Sequence, residues 1–283
     1  MSTKHKYDFA VILRVTNANP NGDPLNGNRP RTNYENFGEI SDVCIKRKIR
    51  NRLMQMGESI LVQSLDNSAD EHQSIKSRID GSGLKTDAKD FKQQACRQWF
   101  DVRAFGQIFP FKGKAKGDGV SIPVRGPVSI HTAFSLDPVS ITSTQITKST
   151  NLEDTKDGKR GSDTMGMKHR VDHGIYVSYG SVNSQLASDE TGTGFSDEDA
   201  GKLKEALRTL FENDASSARP EGSMEVLHVV WWKHSCPSGD ISSAKVHKSL
   251  EVDHETGAVN APTLEFKRDE GEGSLSAEII EGF

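Results

Sequence analysis

Residues 7–15 read Tyr-Asp-Phe-Ala-Val-Ile-Leu-Arg-Val, and their side chains alternate between two sets. One set holds Phe9, Val11, Leu13 and Val15, and the other holds Ala10, Ile12 and Arg14. Successive residues of a β-strand point to opposite faces of a sheet, so this alternation predicts a first strand. The next residues, 16–31, are dense in Asn, Gly and Pro, which favour turns, and they predict a long ordered loop.

Two helices are predicted from caps and apolar spacing. Ser41 is a candidate N-cap, and the apolar residues after it recur at spacings of four, four and three, as a buried stripe requires: Ile45, Ile49, Leu53 and Met56. A second helix is predicted over about residues 197–213, where Ser196 and Asp199 form a capping-box pattern ahead of a Leu-rich stripe.

Further extended segments are predicted around these helices. They are the alternating residues 120–124, the stretches 127–134 and 171–183, and residues 224–232, whose apolar side chains on both faces mark a central strand. The order is then β-α-β-β-α-β, which is typical of an α+β, ferredoxin-like or RRM-type fold. We expect a single domain over residues 1–283, interrupted by large polar insertions at about 57–95 and 135–174.

The charge of the chain is unevenly distributed. Residues 1–130 carry 21 Lys and Arg against 14 Asp and Glu, a balance of +7, whereas residues 176–283 carry 9 against 20, a balance of −11. The first half is therefore suited to a polyanion. The overall charge of −4 is unusual for a solitary nucleic-acid binder, whose pI usually exceeds about 9. Association of the basic face of one copy with the acidic face of another would resolve this conflict.

Composition argues against membrane and disulfide-rich classes. No apolar run approaches the roughly 18 residues that a membrane span needs, and the first residues lack the apolar stretch of a secretory signal, so we expect a cytoplasmic protein without a membrane partner. The three cysteines, Cys44, Cys96 and Cys236, are widely spaced and odd in number. This pattern suits neither a disulfide framework nor a thiolate metal site.

Five basic residues lie within seven positions of the first predicted helix: Lys46, Arg47, Lys48, Arg50 and Arg52. No acidic residue interrupts them and no Glu lies four residues away, so their repulsion calls for a neutralising partner such as a phosphate backbone. A solvated helix face is the alternative. Helical spacing divides the cluster. We expect Lys46, Arg47 and Arg50 to bind the phosphate backbone. Lys48 and Arg52 lie across the buried stripe and are expected to face the acidic surface of a neighbouring copy.

Two other segments supply candidate nucleic-acid contacts. The loop at residues 16–31 contains Arg29 and Arg31 and many backbone N–H groups that can cradle phosphate oxygens, although an ordinary Asx-stabilised turn is the alternative. Residues 165–174 combine apolar and basic side chains: Met165, Met167, Lys168, His169 and Arg170. A Met at such a tip can wedge between bases while the basic groups hold phosphates, or it can be a local hydrophobic anchor.

No catalytic residue, metal site or cofactor is predicted. His169 and His173 are four residues apart, but no third metal ligand is evident and Gly174 would break an aligning helix. The chemical alternative is a metal-independent endoribonuclease that uses His131, His169 or His173 as general acid and base, because histidine titrates near neutrality. No nucleophile, paired carboxylates or phosphate-loop motif accompanies these histidines.

Several strings closely resemble the backbone subunit of type I CRISPR interference (Cascade) complexes, a member of the repeat-associated RAMP superfamily. They are Asn-Pro-Asn-Gly-Asp-Pro at 19–24, residues 41–51, Asp-Val-Arg-Ala-Phe-Gly at 101–106, Arg-Gly-Pro-Val at 125–128 and Ser-Ala-Arg-Pro at 217–220. The likeness spans most of the chain. Within the family, the sequence is most similar to the Csd/Csh branch and to subtype I-C.

This resemblance implies an RRM-like palm with an inserted finger at 57–95 and an inserted thumb at 135–174. It implies a non-catalytic protein whose copies polymerise head to tail along a CRISPR RNA as a filament, join other Cascade subunits, and present the guide for pairing with target DNA in antiviral defence. Carried over by residue, the matches are Lys46, Arg47 and Arg50 in the backbone-gripping helix, Asn19 and Arg31 in the first loop, and Met165 to Arg170 at the thumb tip. The alternatives are an endoribonuclease that processes CRISPR repeat RNA and a solitary RRM-type RNA-binding protein.

Overall fold

The computed structural model of the chain describes residues 1–86, 88–111, 120–147, 165–268 and 271–283. The strands are β1 (Tyr7–Ala18), β2 (Gly22–Asp23), β3 (Arg29–Pro30), β4 (Phe37–Ile40), β5 (Gly106–Phe111), β6 (Val120–Arg125), β7 (Val128–Ile130), β8 (Ala133–Pro138), β9 (Ile141–Thr147), β10 (Met165–Val182), β11 (Met224–Lys233), β12 (Glu251–Val252), β13 (Val259–Asn260), β14 (Leu264–Arg268), β15 (Gly271–Leu275) and β16 (Ala277–Glu281). The helices are α1 (Asp42–Gln55), α2 (Ile75–Gly81), α3 (Phe91–Gln98), α4 (Phe100–Phe105), α5 (Ser184–Ala187), α6 (Asp197–Arg208) and α7 (Ser243–Ser249). Among the described residues, no helix combines the length and the apolar character needed to cross a membrane.

β1 lies inside the main antiparallel sheet, whose strand order is β16-β11-β1-β10-β8-β4, with β7 and β9 also paired to β10. The pairing of β1 with β10 runs from Tyr7 opposite Val182 to Ala18 opposite Val171. The ferredoxin-like arrangement is formed by four of these strands, in the order β11-β1-β10-β8. Its two helices are α1, which follows β1, and α6, which follows β10. The predicted α+β fold of RRM type is confirmed.

The two side-chain sets of β1 enter two different cores, as their alternation predicted. Phe9, Val11, Leu13 and Val15 pack into a core that also holds the stripes of α1 and α6. Ala10 and Ile12 pack into a second core on the opposite face of the sheet. A fully buried side chain of this size contributes roughly 1.5–3 kcal/mol to folding, so both faces of β1 stabilise the sheet.

Both predicted helices are present with their caps. The Ser41 side chain accepts a hydrogen bond from the Cys44 N–H at 3.3 Å, and Ser196 and Asp199 form a capping box. The second helix ends at Arg208, five residues before its predicted end, and residues 209–213 continue as turns up to Asn213, which has a φ of 56°.

The second face of the sheet is covered by residues 241–268 and 271–275, including the buried Val246, Leu250 and Leu275. Sequence patterns did not indicate this cover, because the apolar residues of the acidic C-terminal region are divided among short elements. RRM domains stack RNA bases on aromatic side chains of their sheet. In the described part of this chain the corresponding sheet surface is occupied by protein, so a solitary RRM-type protein is not the interpretation that the fold favours.

A side lobe, formed by residues 57–86, 88–111 and β6, has an apolar core of its own. Its buried residues include Leu61, Ile79, Phe91, Trp99 and Phe109. The expected insertion at 57–95 therefore contains packed helices, and the core of the lobe extends past residue 95. Residues 112–119 lie outside the described part of the chain.

Asp101 joins the side lobe to the main body. Its buried carboxylate accepts hydrogen bonds from the Leu61 N–H at 2.8 Å, the Val62 N–H at 3.0 Å and Nε of Arg50 at 3.0 Å. The Arg50 guanidinium also lies 5.0 Å from the centroid of the Phe105 ring. This ion pair sets how the lobe is oriented on α1.

A buried polar cluster holds α7 against the second face of the sheet. Nε2 of His234 donates to Asp8 Oδ2 at 2.8 Å, and Nε2 of His247 lies 3.6 Å from Asp8 Oδ1. Burial alone would raise the pKa of Asp8, but hydrogen bonds from His234 and Ser243 and the Lys6 charge hold it below its ordinary value. Burial lowers the pKa of the His247 imidazole, whose neighbours also include His131, Tyr179 and the Gly180 carbonyl.

We predict that Arg50→Ala strongly destabilises the fold, because it leaves the Asp101 carboxylate buried without its cation. Removing one partner of a buried pair typically costs roughly 3–5 kcal/mol. Urea denaturation measures this loss. The control is Arg47→Ala on the same helix, whose pair with Asp66 is exposed and should contribute little. Equal losses from the two variants would contradict a special role for the Asp101 pair.

We also predict that the protein loses stability on mild acidification because of His247. The folded state disfavours the protonated imidazole, so the unfolded state binds the proton more readily, and stability falls as the pH drops below the ordinary histidine pKa of about 6.5. Urea midpoints compared at about pH 7.5 and about pH 5.5 test this, with His247→Gln as the comparison. The variant should show a smaller drop between the two pH values, and an identical drop would refute the assignment.

Candidate nucleic-acid interface

A cleft of about 280 Å³ lies where three segments that are distant in the sequence meet. These segments are the first loop (residues 16–31), the hairpin of β9 and β10, and a turn at residues 216–219, which we call the 216–219 turn. The lining residues are Asn19, Gly27, Asn28, Ile146, Met167, Lys168, His169, Ser217 and Ala218. Four of the predicted site residues therefore line one cleft: Asn19, Met167, Lys168 and His169.

Asn19 connects two walls of the cleft. Its backbone N–H donates to the Ala218 carbonyl at 2.9 Å, and its Nδ2 donates to the Asn28 carbonyl at 2.7 Å. Asn19 Oδ1 is buried and has no hydrogen-bond partner among the described residues. Gly22 allows the loop to close, because a Cβ there would lie 2.1 Å from Asn28 Oδ1. The loop is therefore ordered by its own hydrogen bonds, and one buried acceptor beside the cleft is left unused.

Ser143 on β9 links the first loop to the hairpin. Arg29 donates to Ser143 Oγ at 3.1 Å, and Nδ1 of His169 lies 2.8 Å from the same oxygen. His169 is buried, because it lies directly opposite Ser143 in the hairpin. Arg29 and His169 were both predicted as phosphate contacts, and both use this hydroxyl inside the chain. Arg31, the other predicted loop cation, is about one-third exposed and pairs with Asp23 at 3.3 Å.

Residues 165–170 belong to a strand, and the prediction of a loop tip there was wrong. β9 supplies the missing partner: the ladder runs from Met165 opposite Thr147 to Val171 opposite Ile141. Met165 and Met167 are exposed, and alternation places Lys168 and Arg170 on the other side of the strand. Residues 148–164 of the expected thumb lie outside the described part of the chain.

All five basic residues of α1 have acidic partners within the chain, so the expectation of an unneutralised cluster was wrong. The pairs are Lys46–Asp42, Arg47–Asp66, Lys48–Asp214, Arg50–Asp101 and Arg52–Glu212. Lys48 and Arg52 were expected to face acidic residues of a neighbouring copy. Their acidic partners belong instead to the same chain. Except for Asp42, these carboxylates are too distant in the sequence to be recognised as partners from a local pattern. Lys48 and Asp214, for example, are 166 residues apart.

The three cations predicted to bind the nucleic-acid backbone, Lys46, Arg47 and Arg50, differ in their exposure. The side chains of Lys46 and Arg47 are 26% and 54% exposed, whereas that of Arg50 is 15% exposed and bound to a buried carboxylate. Exposed ion pairs are weak, so a phosphate can replace the carboxylate partner of Lys46 or Arg47. The Arg50 side chain is instead held by Asp101, where the side lobe meets the main body.

Sequence reasoning missed five cleft residues, which are Gly27, Asn28, Ile146, Ser217 and Ala218. The signal for the last two was the string at 217–220, which contributed only to the family resemblance. The turn is closed by two backbone hydrogen bonds between Ser216 and Arg219, of 2.8 and 3.0 Å, and Nε of Arg219 donates to Asp214 at 3.3 Å. Only tertiary structure shows that this turn faces the first loop.

Two of the three candidate catalytic histidines, His131 and His169, lie far apart. The backbone N–H of His131 donates to the Tyr179 carbonyl at 2.7 Å. Tyr179 lies ten residues along β10 from His169. At about 3.3 Å per residue, this spacing corresponds to about 33 Å. His131 and His169 therefore cannot act on the same phosphodiester. Within the described ranges, no group of three or more His, Cys, Asp or Glu side chains is arranged to hold a metal ion.

Comparison with known proteins agrees with these observations. The family described as CRISPR-associated protein Cas7 matches residues 5–269. A relative, CRISPR-associated protein Cas7 of Haloferax volcanii, is 24% identical over 244 residues, which cover 81% of this chain and 71% of the relative.

Two similar solved chains come from assemblies described as "CRISPR RNA-guided surveillance complex, pre-nicking" and "CRISPR RNA-guided surveillance complex". The first has a TM-score of 0.49 and 14% identity, covering 80% of this chain and 78% of the solved chain. The second has a TM-score of 0.43 and 17% identity, covering 80% and 68%. The family assignment rests on the match over residues 5–269, which includes β1, β10 and β11 of the main sheet and all segments of the cleft. The chain therefore belongs to the Cas7 family of CRISPR-associated proteins.

Proposed function

We propose that this protein is a guide-RNA-binding backbone subunit of a type I CRISPR surveillance (Cascade) complex. It holds the guide in the cleft and presents it for pairing with target DNA in antiviral defence. The observation that carries the proposal is the convergence of the first loop, the hairpin and the 216–219 turn on one cleft in a member of the Cas7 family. Because a guide varies in sequence, the protein holds backbone and shape while base pairing reads the target.

The predicted site residues take different parts in this proposal. The exposed cations Lys46, Arg47, Lys168 and Arg170 hold phosphates, and Arg31 is a further candidate in the first loop. Asn19, Arg29 and His169 shape the cleft through their internal hydrogen bonds. Met165 and Met167, both more than half exposed, provide apolar contacts to bases. Arg50 supports the side lobe and contacts no RNA.

The proposal includes assembly. Copies add head to tail along one RNA, and such a heterologous contact gives an open filament. The β9–β10 hairpin carries the exposed Met165 and Met167 and is suited to contacts beyond its own subunit. Residues 135–174 are proposed as the thumb and 57–95 as the finger of a palm formed by the main sheet. The resemblance of the sequence strings taken together favours subtype I-C and the Csd/Csh branch.

Catalysis is not part of this proposal. The alternative, a metal-independent endoribonuclease, requires an acid and a base on one phosphodiester. The spacing of His131 and His169 along β10 gives that alternative no support.

We predict that Lys46→Ala/Arg47→Ala weakens guide RNA binding for every guide sequence and flattens its salt dependence. The slope of log affinity against log salt should fall by about 0.7 for each phosphate of a single strand that is no longer neutralised. Fluorescence anisotropy at several salt concentrations measures both quantities. The control Lys267→Ala breaks another exposed pair, with Glu272, in the hairpin of β14 and β15, and should change neither. A wild-type slope in the double variant would contradict the assignment.

We also predict that the number of bound copies rises stepwise with RNA length. Native mass spectrometry on guide RNAs of increasing length, in EDTA, reports the copy number and the mass of the RNA together. Added copies on intact RNA support the scaffold. A single copy at every length would favour a solitary RNA-binding protein, and shortened RNA protected by His131→Ala or His169→Ala would favour the endoribonuclease.

A further inference from the structure

Lys48 is the most buried cation of α1, with a side chain 6% exposed. Its ammonium donates to Asp214 Oδ2 and lies 5.4 Å from the centroid of the Phe211 ring. Burial lowers the pKa of Lys48, and the Asp214 charge opposes that shift. A buried ion pair adds little net stability, because well-packed apolar residues often stabilise such a position equally well. The pair therefore calls for a role other than stability.

Asp214 extends this contact to the cleft. The same oxygen that receives the Lys48 ammonium also accepts from Nε of Arg219 at 3.3 Å. Arg219 closes the 216–219 turn with Ser216, and the Ala218 carbonyl within that turn accepts from the Asn19 N–H at 2.9 Å. Polar contacts therefore run without interruption from α1 through Asp214 to the turn, and from the turn to the first loop.

We propose that Lys48 is a positioning residue of the RNA-binding cleft: through Asp214 it holds the 216–219 turn against the first loop and so sets the width of the cleft. The inference rests on the proposed function of the cleft. Lys48 itself touches no RNA, because its ammonium is enclosed by Asp214 and Phe211. Its effect is transmitted through a carboxylate that it shares with Arg219.

Arg52 offers a matched control on the same helix. It lies one turn further along α1, its side chain is 14% exposed, and it pairs with Glu212. Its Nε also donates to Thr209 Oγ1 at 2.7 Å. Neither partner belongs to the 216–219 turn or lines the cleft. Loss of Arg52 thus removes a comparable ion pair without releasing the turn.

The test compares Lys48→Met, which keeps the apolar stem and removes the charge, with Arg52→Met and Lys48→Arg. Guide RNA affinity of Lys48→Met should fall roughly 3- to 30-fold, the range for residues that act through a network. Its salt slope should equal that of the wild type, because every phosphate keeps its cation. Arg52→Met should bind like the wild type, and Lys48→Arg should restore most of the affinity.

A second measurement needs no RNA. Amide hydrogen exchange at Asn19, whose N–H bonds to the 216–219 turn, should be faster in Lys48→Met than in the wild type and unchanged in Arg52→Met. Unchanged exchange and affinity in Lys48→Met would overturn the inference. A salt slope reduced as in Lys46→Ala/Arg47→Ala would also overturn it, because that result indicates that Lys48 binds a phosphate directly.

Two further outcomes remain decisive. If Lys48→Met does not fold, Asp214→Asn keeps the shape and removes the shared charge. We expect of it the same drop in affinity, an unchanged salt slope and the same faster exchange at Asn19. Wild-type affinity and exchange in Asp214→Asn would then overturn the inference. If the wild type itself binds no guide RNA, the proposed function fails, and faster Asn19 exchange in Lys48→Met still shows that Lys48 positions the turn.

Discussion

The hydrogen-bonded register of β1 with β10 and β11 is the constraint on which the rest of the structure depends. Ala18 lies opposite Val171 and Val15 lies opposite Met224, so three chain segments leave the sheet at the same end. The first loop follows β1, the hairpin of β9 and β10 contains the beginning of β10, and the 216–219 turn precedes β11. The cleft is thus a consequence of antiparallel pairing, because each segment that lines it continues one of three adjacent strands.

Part of the uneven charge of the chain is balanced within one molecule. Basic residues of the first half meet carboxylates of the second half in the pairs Lys48–Asp214, Arg52–Glu212, Arg103–Asp199 and Arg14–Glu225. Such pairs orient elements more than they stabilise them, because desolvation offsets much of their attraction. The pairs of Lys48 and Arg52 join α1 to the residues that follow α6.

Covering the second face of the sheet changes how an RRM-type fold can use its surface. Residues 241–268 and 271–275 occupy the face on which RRM domains stack bases, and the cleft lies at the end of the sheet instead. The cleft is lined by amide and small side chains of the first loop and the 216–219 turn, and by Ile146, Met167, Lys168 and His169 of the hairpin. Such a composition suits contact with a nucleic-acid backbone, which is what a protein that must accept any guide sequence requires.

The sequence by itself determined β1, α1, α6 and β11, because strand alternation, helical stripes and N-caps depend on residues within about four positions of one another. Their order determined the fold class, and five short strings indicated the family. Only the tertiary structure decided that Lys48 pairs with Asp214, that Arg50 supports the side lobe and that His169 is buried against Ser143. It also brought Ser217 and Ala218 beside Asn19. These contacts join segments up to about 200 residues apart, and strand register brings them together, which no local pattern encodes.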